Sequence, residues 1–242
     1  MSVAIARDIP VAALAGKRER LLAMVDILEG VPEEDLRALA RLSAFASLDA
    51  RDAILVSPDE HAERLLLLLE GRAQVCEDSD CGQEVTASVV EGGTLVGATG
   101  FAPHILGLRV EALEPSVVCG VRRPAFDELV SRYPILGTRV TSVLGRRLIE
   151  TEGRLADLAC KEVPERLASQ ILRLLQSEGI VTREGYKIPT PYTHRQLGTM
   201  IGAKREAVTR AFGKLRWTAG VELRNRRIFV TDPDALERAA QS

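Results

Sequence analysis

The sequence predicts an α+β protein in three parts: a β jelly roll, one long helix, and a compact C-terminal domain of short helices that ends in a hairpin. Three observations carry that reading. Between about Phe45 and Arg123 short apolar runs alternate with turn signals, the texture of a sandwich or roll and not of a βαβ sheet. From Pro134 to about Lys161 leucines and valines recur at alternating three- and four-residue steps, as along a helical seam. From Thr193 to Leu215 the chain reads as two short helices about a glycine-centred turn. At 242 residues, 46% hydrophobic and 27% charged, the chain is long enough for more than one core.

Taken in order, Met1 to about Lys17 is expected to be a loosely structured arm. Arg18 to Glu29 is read as a single short helix with Leu21, Leu22, Val25 and Leu28 on one face. Together these make a first segment, 1–30. Val31-Pro32-Glu33-Glu34-Asp35 opens a second helix, with proline and acids in its first turn. It leads into the roll, which occupies the rest of 31–125. Turn signals there are Ser57-Pro58-Asp59-Glu60, Glu70-Gly71, Asp78-Ser79-Asp80, Glu91-Gly92-Gly93 and Glu114-Pro115-Ser116. The strands expected between them are Ala53 to Val56, Arg64 to Leu69, Ala73 to Cys76, Glu84 to Val90, Gly107 to Ala112 and Ser116 to Val121.

The segment 126–161 holds the end of a short helix begun at Arg123 and then the long helix from Pro134. On the long helix Leu136, Val140, Val143, Leu144, Leu148, Leu155 and Leu158 approximate a heptad seam. One stripe should face the roll and the other a partner.

In 162–242, Val163-Pro164-Glu165 starts a helix to about Gln176, and Glu178-Gly179 ends it. A short strand pair follows, from Val181 to Pro189. Thr193 caps a helix from His194 to Ile201 whose Leu197, Met200 and Ile201 share one face. Gly202 stands where a sharp turn wants positive φ, and Gly198 is small where two steeply crossing helices press together. A second helix, about Lys204 to Arg216, would bury Ala207, Val208, Ala211, Phe212 and Leu215. Lys204, Arg205, Glu206, Thr209 and Arg210 stay exposed in its N-terminal half, the half that enters the major groove in a helix-turn-helix. Val221 to Val230 reads as a hairpin turning near Asn225 with Arg224, Arg226 and Arg227 exposed at its tip, which completes a winged helix-turn-helix. Thr193, His194, Arg195, Lys204, Thr209 and the three wing arginines are placed to meet DNA phosphates. Asp232-Pro233-Asp234 caps a last helix to about Ala240.

Charge agrees with a nucleic-acid partner. The net charge is only -2, but from Lys161 to Val230 there are 14 Lys and Arg against 6 Asp and Glu, a net of +8. The remainder holds 18 against 28, a net of -10. An acidic body with one basic domain fits a regulator that sets that domain on phosphates. The densest apolar run, Leu65 to Leu69, is far short of a membrane span, and Asp8 and Pro10 spoil the start as a signal peptide, so a cytoplasmic location is expected. No P-loop, HExxH or GxSxG occurs and there are only three histidines, which argues against an enzyme. An architectural DNA protein of no sequence preference is the other class weighed. The cysteines, Cys76, Cys81, Cys119 and Cys160, include no CxxC pair, so no iron–sulfur cluster or other metal is expected. Cys76 and Cys81 bracket a hairpin turn and are read as ordinary thiols in preference to a redox disulfide. His104, with His61, is read as a surface residue in preference to a haem or metal ligand.

The helix-turn-helix resembles that of the cyclic-AMP receptor protein/fumarate-nitrate regulator (CRP/FNR) family of bacterial transcription factors. The likeness rests on Arg205, Glu206 and Arg210, which match the family's Arg-Glu-x-x-x-Arg recognition pattern. It extends from about Val31 onward. It implies that Arg205 and Arg210 pair with guanine and Glu206 with cytosine in a palindromic TGTGA-type site, chemistry that arginine forks and a carboxylate suit. It also implies a homodimer paired along the long helix, a cyclic-nucleotide-type roll, and activation through RNA polymerase.

The effector pocket departs from the pattern. In Gly97-Ala98-Thr99-Gly100, Ala98 stands where the family's ribose-binding Glu would be. The phosphate-binding Arg would fall at Leu106 or Gly107, leaving Arg109 to be recruited from a shifted register. Thr151 matches a base-contacting position of the family's cyclic-AMP binder, but Glu152 replaces the Ser that follows it. Cyclic AMP is therefore not expected to bind in the usual manner, since its phosphate would lack its counter-charge. No cofactor is expected, and a redox, haem or small-molecule effector stays open.

Overall fold

The computed structural model describes residues 7–8, 17–56, 64–78, 84–96 and 108–241. By its internal contacts the chain divides into two units, Met1–Ile149 and Glu150–Ser242.

The first unit is built around Arg64–Glu70, β4 in chain order. Its five consecutive leucines are buried on both sides, so the run lacks the polar alternation of a half-exposed strand. Leu65, Leu67 and Leu69 face a layer of helices, while Leu66 and Leu68 face a second sheet. The preceding strands are β1 (Arg7–Asp8), β2 (Ala44–Leu48) and β3 (Ala53–Val56); those that follow are β5 (Arg72–Asp78), β6 (Glu84–Glu91), β7 (Thr94–Leu95), β8 (Leu108–Ala112) and β9 (Ser116–Arg122). Every pairing is antiparallel, in sheets of order β1-β2-β9-β4-β7 and β3-β8-β5-β6. Gly71 turns β4 into β5 with φ +87°, which glycine adopts without strain. The six expected strands form within two residues of their expected ends, and β2 and β7 are additions.

The helical layer comprises α1 (Arg18–Ala23), a single 3-10 turn Asp26–Leu28, α2 (Glu33–Leu42), α3 (Arg123–Arg132) and the start of α4 (Ile135–Cys160). The single helix expected over Arg18 to Glu29 is broken. Val25 takes an extended backbone, Asp26 N–H bonds the Gly93 carbonyl at 2.8 Å, and the Asp26 carboxylate accepts from Ile27 N–H at 2.7 Å. The break lets Val25, Ile27 and Leu28 all be buried, which one helical face could not do. Part of the expected arm, Arg7–Asp8, pairs with β2. Tyr133 Oη donates to Asp35 at 2.6 Å, and Arg132 ion-pairs with the same carboxylate, joining α2 to the end of α3.

The seam expected on α4 is also corrected. Leu136, Val140 and Val143 are at most 5% exposed within the first unit's own core, and Leu144 packs beside them. Arg139 and Arg147 bind the backbone carbonyls of Glu29 and Leu95. That stripe is occupied within the chain itself. Leu148 and Ile149, at 60% and 70%, and Leu155 and Leu158 are exposed.

The second unit packs α5 (Val163–Glu178), α6 (His194–Ile201), α7 (Arg205–Ala219) and α8 (Pro233–Gln241) with a sheet of order β10-β11-β13-β12, formed by β10 (Ile180–Thr182), β11 (Gly185–Ile188), β12 (Val221–Arg224) and β13 (Arg227–Val230). Its α7 runs three residues beyond the expected end, because the left-handed stop is Gly220, φ +59°. Within this unit Asp157 on the last turns of α4 bonds Lys161 at 2.8 Å and pairs with Arg173 of α5.

Candidate nucleic-acid interface

Thr193 caps α6 as its residue type predicts. Its Oγ1 accepts from Gln196 N–H at 3.2 Å, and Gln196 Oε1 accepts in return from Thr193 N–H at 2.9 Å. Gly202 then takes φ +61°, ψ +42°, and Ala203 N–H closes onto the Gly198 carbonyl at 2.9 Å. A Cβ at Gly198 would run into the Ala203 carbonyl oxygen. The glycine therefore lets the turn after α6 fold back onto that helix. Val208, Ala211, Phe212, Leu215 and Ala219 bury one face of α7, while Ala207, expected in that stripe, is only half-buried at its edge.

That packing leaves Lys204, Arg205, Glu206, Thr209 and Arg210 exposed along the first two turns of α7. No hydrogen bond or ion pair engages the side chains of Arg205, Glu206 or Arg210 among the described residues. Thr209 is engaged: its Oγ1 donates to the Arg205 carbonyl at 3.0 Å and lies 2.8 Å from His194 Nδ1. The His194 ring stacks on Phe212 with centroids 5.2 Å apart. Burial first, and the charge of Arg205 second, hold its pKa below the ordinary value of 6.5. His194 and Thr209, expected to meet phosphates, thus also join α6 to α7, while Thr193 is engaged in the cap of α6. Arg195 is exposed on the first turn of α6.

The wing is a two-residue turn between β12 and β13. Asn225 and Arg226 both take positive φ, 51° and 64°, the geometry of a tight hairpin turn. Arg226 is exposed at the tip, and its carbonyl accepts from Tyr192 N–H at 2.8 Å. Arg224 lies between two carboxylates of its own protein, Glu222 at 2.7 Å and Glu184 at 2.9 Å. Arg216 lies 3.4 Å from the same Glu222. Arg227 Nε donates to the Pro189 carbonyl at 3.1 Å. Of the three wing arginines, Arg226 alone projects with its guanidinium unengaged among the described residues.

Sequence reasoning misses a buried brace beneath this surface. Glu178, at the end of α5, accepts from Tyr192 Oη at 2.6 Å and from Thr190 Oγ1. All three residues are buried. The brace fixes the segment that delivers the chain to Thr193. Its one sequence signal is an acid at a helix end followed by Thr-x-Tyr, too sparse to imply contact.

In the roll, Gly97, Ala98, Thr99 and Gly100 lie outside the described residues, as do Leu106, Gly107, Cys81, His61 and His104. Arg109, the shifted-register candidate, bonds Glu111 at 2.8 Å. Thr151 and Glu152 are exposed on α4. Cys76 is buried with Sγ 3.8 Å from Thr86 Oγ1, and burial pushes the Cys119 thiol up to about 12. Among the described residues no cluster of three His, Cys, Asp or Glu could hold a metal ion, and no helix is long and apolar enough to cross a membrane.

Residues 50–133 match the cyclic nucleotide-binding domain family, and residues 165–239 match the Crp-like helix-turn-helix domain family. Over 224 residues the chain is 23% identical to a CRP-like cAMP-activated global transcriptional regulator of Mycobacterium tuberculosis, covering 92% of this chain and all of that protein. It is 26% identical over 194 residues to the global nitrogen regulator of Synechococcus elongatus, covering 78% of this chain and 86% of that one. Among solved structures, a CooA mutant from Carboxydothermus hydrogenoformans superposes with a TM-score of 0.73 at 17% identity, over 90% of this chain and 95% of that one, a likeness of fold. A CRP-family transcriptional regulator from Thermus thermophilus gives 0.67 at 25% identity, over 81% of this chain and 96% of that one.

Proposed function

Because the chain belongs to the CRP/FNR family of transcription regulators and carries the family's helix-turn-helix, we propose that it acts as a homodimer whose two α7 helices read a palindromic TGTGA-type site. The single observation that supports this best is the start of α7, where Arg205, Glu206 and Arg210 are exposed with their side chains uncommitted. An arginine fork matches guanine O6 and N7, and a carboxylate accepts from the cytosine amino group. Half-sites about one helical turn, roughly 34 Å, apart suit two such helices. Arg195, Lys204 and Arg226 supply phosphate contacts. Arg224 and Arg227 join them only by releasing partners within the protein. Bound in this way, the dimer activates transcription by contacting RNA polymerase.

The Mycobacterium relative is cAMP-activated by its name. In this chain Ala98 replaces the ribose-binding carboxylate, and Arg109 already serves Glu111. Cyclic AMP is accordingly not the effector in this reading, and the roll answers to another signal or to none.

The test is fluorescence anisotropy of a labelled palindromic TGTGA-type duplex titrated with the protein, against unlabelled random duplex, with and without cyclic AMP. Tight binding that resists competitor and ignores the nucleotide is expected. Arg205→Ala should cost about 1–3 kcal/mol on the palindrome and almost nothing on random DNA. Equal loss on both would remove base reading from that residue, and binding that appears only with cyclic AMP would overturn the effector reading.

A further inference from the structure

Trp217 is the chain's single tryptophan and, among the described residues, the most exposed large apolar side chain, at 87%. It is not placed at random on α7. Glu206, Arg210, Gly213 and Trp217 follow at steps of four, three and four residues, so they share one face of the helix. All four are exposed, directly opposite the buried stripe through Val208 and Leu215.

Gly213 supplies a second, independent sign. Glycine inside a helix is destabilising relative to alanine, and a Cβ there would meet nothing within 4 Å. Nothing in the second unit requires the glycine. The bare backbone at Gly213 and the indole beyond it therefore form a concave step that the protein itself leaves unfilled.

We propose that this step seats the sugar–phosphate wall of the major groove. The deoxyribose packs against the helix at Gly213 and on the Trp217 ring, and the indole Nε1–H donates to a phosphate oxygen. The inference rests on the reading of α7 as the recognition helix. Along the axis Trp217 lies seven residues past Arg210, about 10 Å at the α-helical rise. The groove is about 8.5 Å deep, so a side chain that far from the base-reading end stands at the level of the backbone rim. With Arg210 at the base edges, Trp217 reaches the groove wall. DNA is favoured over a protein partner because the face is continuous with the base-reading residues. Lys214, exposed beside it, adds positive charge of the sign that phosphates require. Sugar and phosphate are the same at every step, so the contact positions the protein and carries no sequence preference.

The experiment uses the intact protein with a far-red-labelled duplex, palindromic or random. Label anisotropy and Trp217 emission are recorded in one titration, and acrylamide quenching is measured at its end points. Emission should change in step with anisotropy, and quenching should fall on the bound protein. Trp217→Ala should weaken both duplexes alike by roughly five- to tenfold, as losing one aromatic anchor does. Gly213→Leu should leave the melting temperature unchanged or raised, since the site is open and leucine favours helix, yet weaken DNA binding. Saturating anisotropy with emission and quenching unchanged would overturn the proposal and reassign the face to a protein partner. So would full DNA affinity in Gly213→Leu. No anisotropy rise on any duplex would instead remove the DNA-binding reading itself.

Discussion

The imidazole of His194 is held on two sides, by the Thr209 hydroxyl at 2.8 Å and by the stacked Phe212 ring. Burial, and after it the charge of Arg205, disfavours the cation. A pKa depressed in the folded state means that this histidine's contribution to stability is complete above its unfolded value of 6.5. The contribution is lost as pH falls through the lower folded value. An NMR titration should therefore place the His194 midpoint below 6.5, and Thr209→Ala should move it; a midpoint at or above 6.5 would show the ring to be solvated instead. Sequence places His194 at the start of the first helix but cannot show this joint, because its partners lie 15 and 18 residues away on another helix. Arg224 makes the same point. By sequence it is an exposed wing cation, but Glu184, 40 residues earlier, comes to 2.9 Å of it. Arg226, which the turn geometry itself pushes outward, needs no partner to be found.

At the scale of elements, local rules suffice wherever a turn or cap residue fixes the boundary. Thr193 and Gly202 delimit α6 by capping and by positive φ, and both are legible as residue types. Likewise the turn at Gly71 separates β4 from β5. Boundaries are lost where tertiary burial decides them. The Arg18 to Glu29 stretch has helical spacing, yet the carbonyl of Gly93 captures Asp26 and the helix yields. Gly198 lies between these cases: its smallness is legible, while its reason, the Ala203 carbonyl pressed against it, is a contact with the turn that folds back from Gly202. Gly198→Ala is accordingly expected to destabilise the C-terminal unit by about 1–3 kcal/mol, the usual cost of overpacking a close approach, even though alanine is the better helix former. Denaturant unfolding followed by far-UV circular dichroism measures it. A stability equal to the parent's would mean that the turn at Ala203 shifts away from α6 at little cost.

For the whole molecule, the α4 pattern holds two messages that sequence periodicity superimposes. Leu136, Val140 and Val143 keep the three- and four-residue steps of a seam, but they are consumed by the first unit's core. Periodicity reports that a face is apolar and says nothing of what covers it. Leu148 and Ile149, by contrast, lie at 60% and 70% exposure on a helix that is otherwise well packed at its start. Two large aliphatic side chains left in water forgo about 1.5–3 kcal/mol each, and each recurs in both copies of a two-fold interface. We therefore expect the double variant Leu148→Asp/Ile149→Asp to sediment at the chain mass of 26.3 kDa, where the parent sediments at twice that mass. Neither side chain belongs to the core of a single chain, so the variant should still fold, with a melting temperature that is lower than the parent's and no longer rises with protein concentration. The loss should carry through to DNA: a single chain engages one half-site, so affinity for the palindrome falls towards that for an isolated half-site, while weak salt-sensitive binding to random DNA persists. A variant that still sediments as a dimer would shift the interface to the exposed residues nearer the end of α4, Leu155 and Leu158, whereas a parent that is itself a single chain would leave a palindromic site without a two-fold reader.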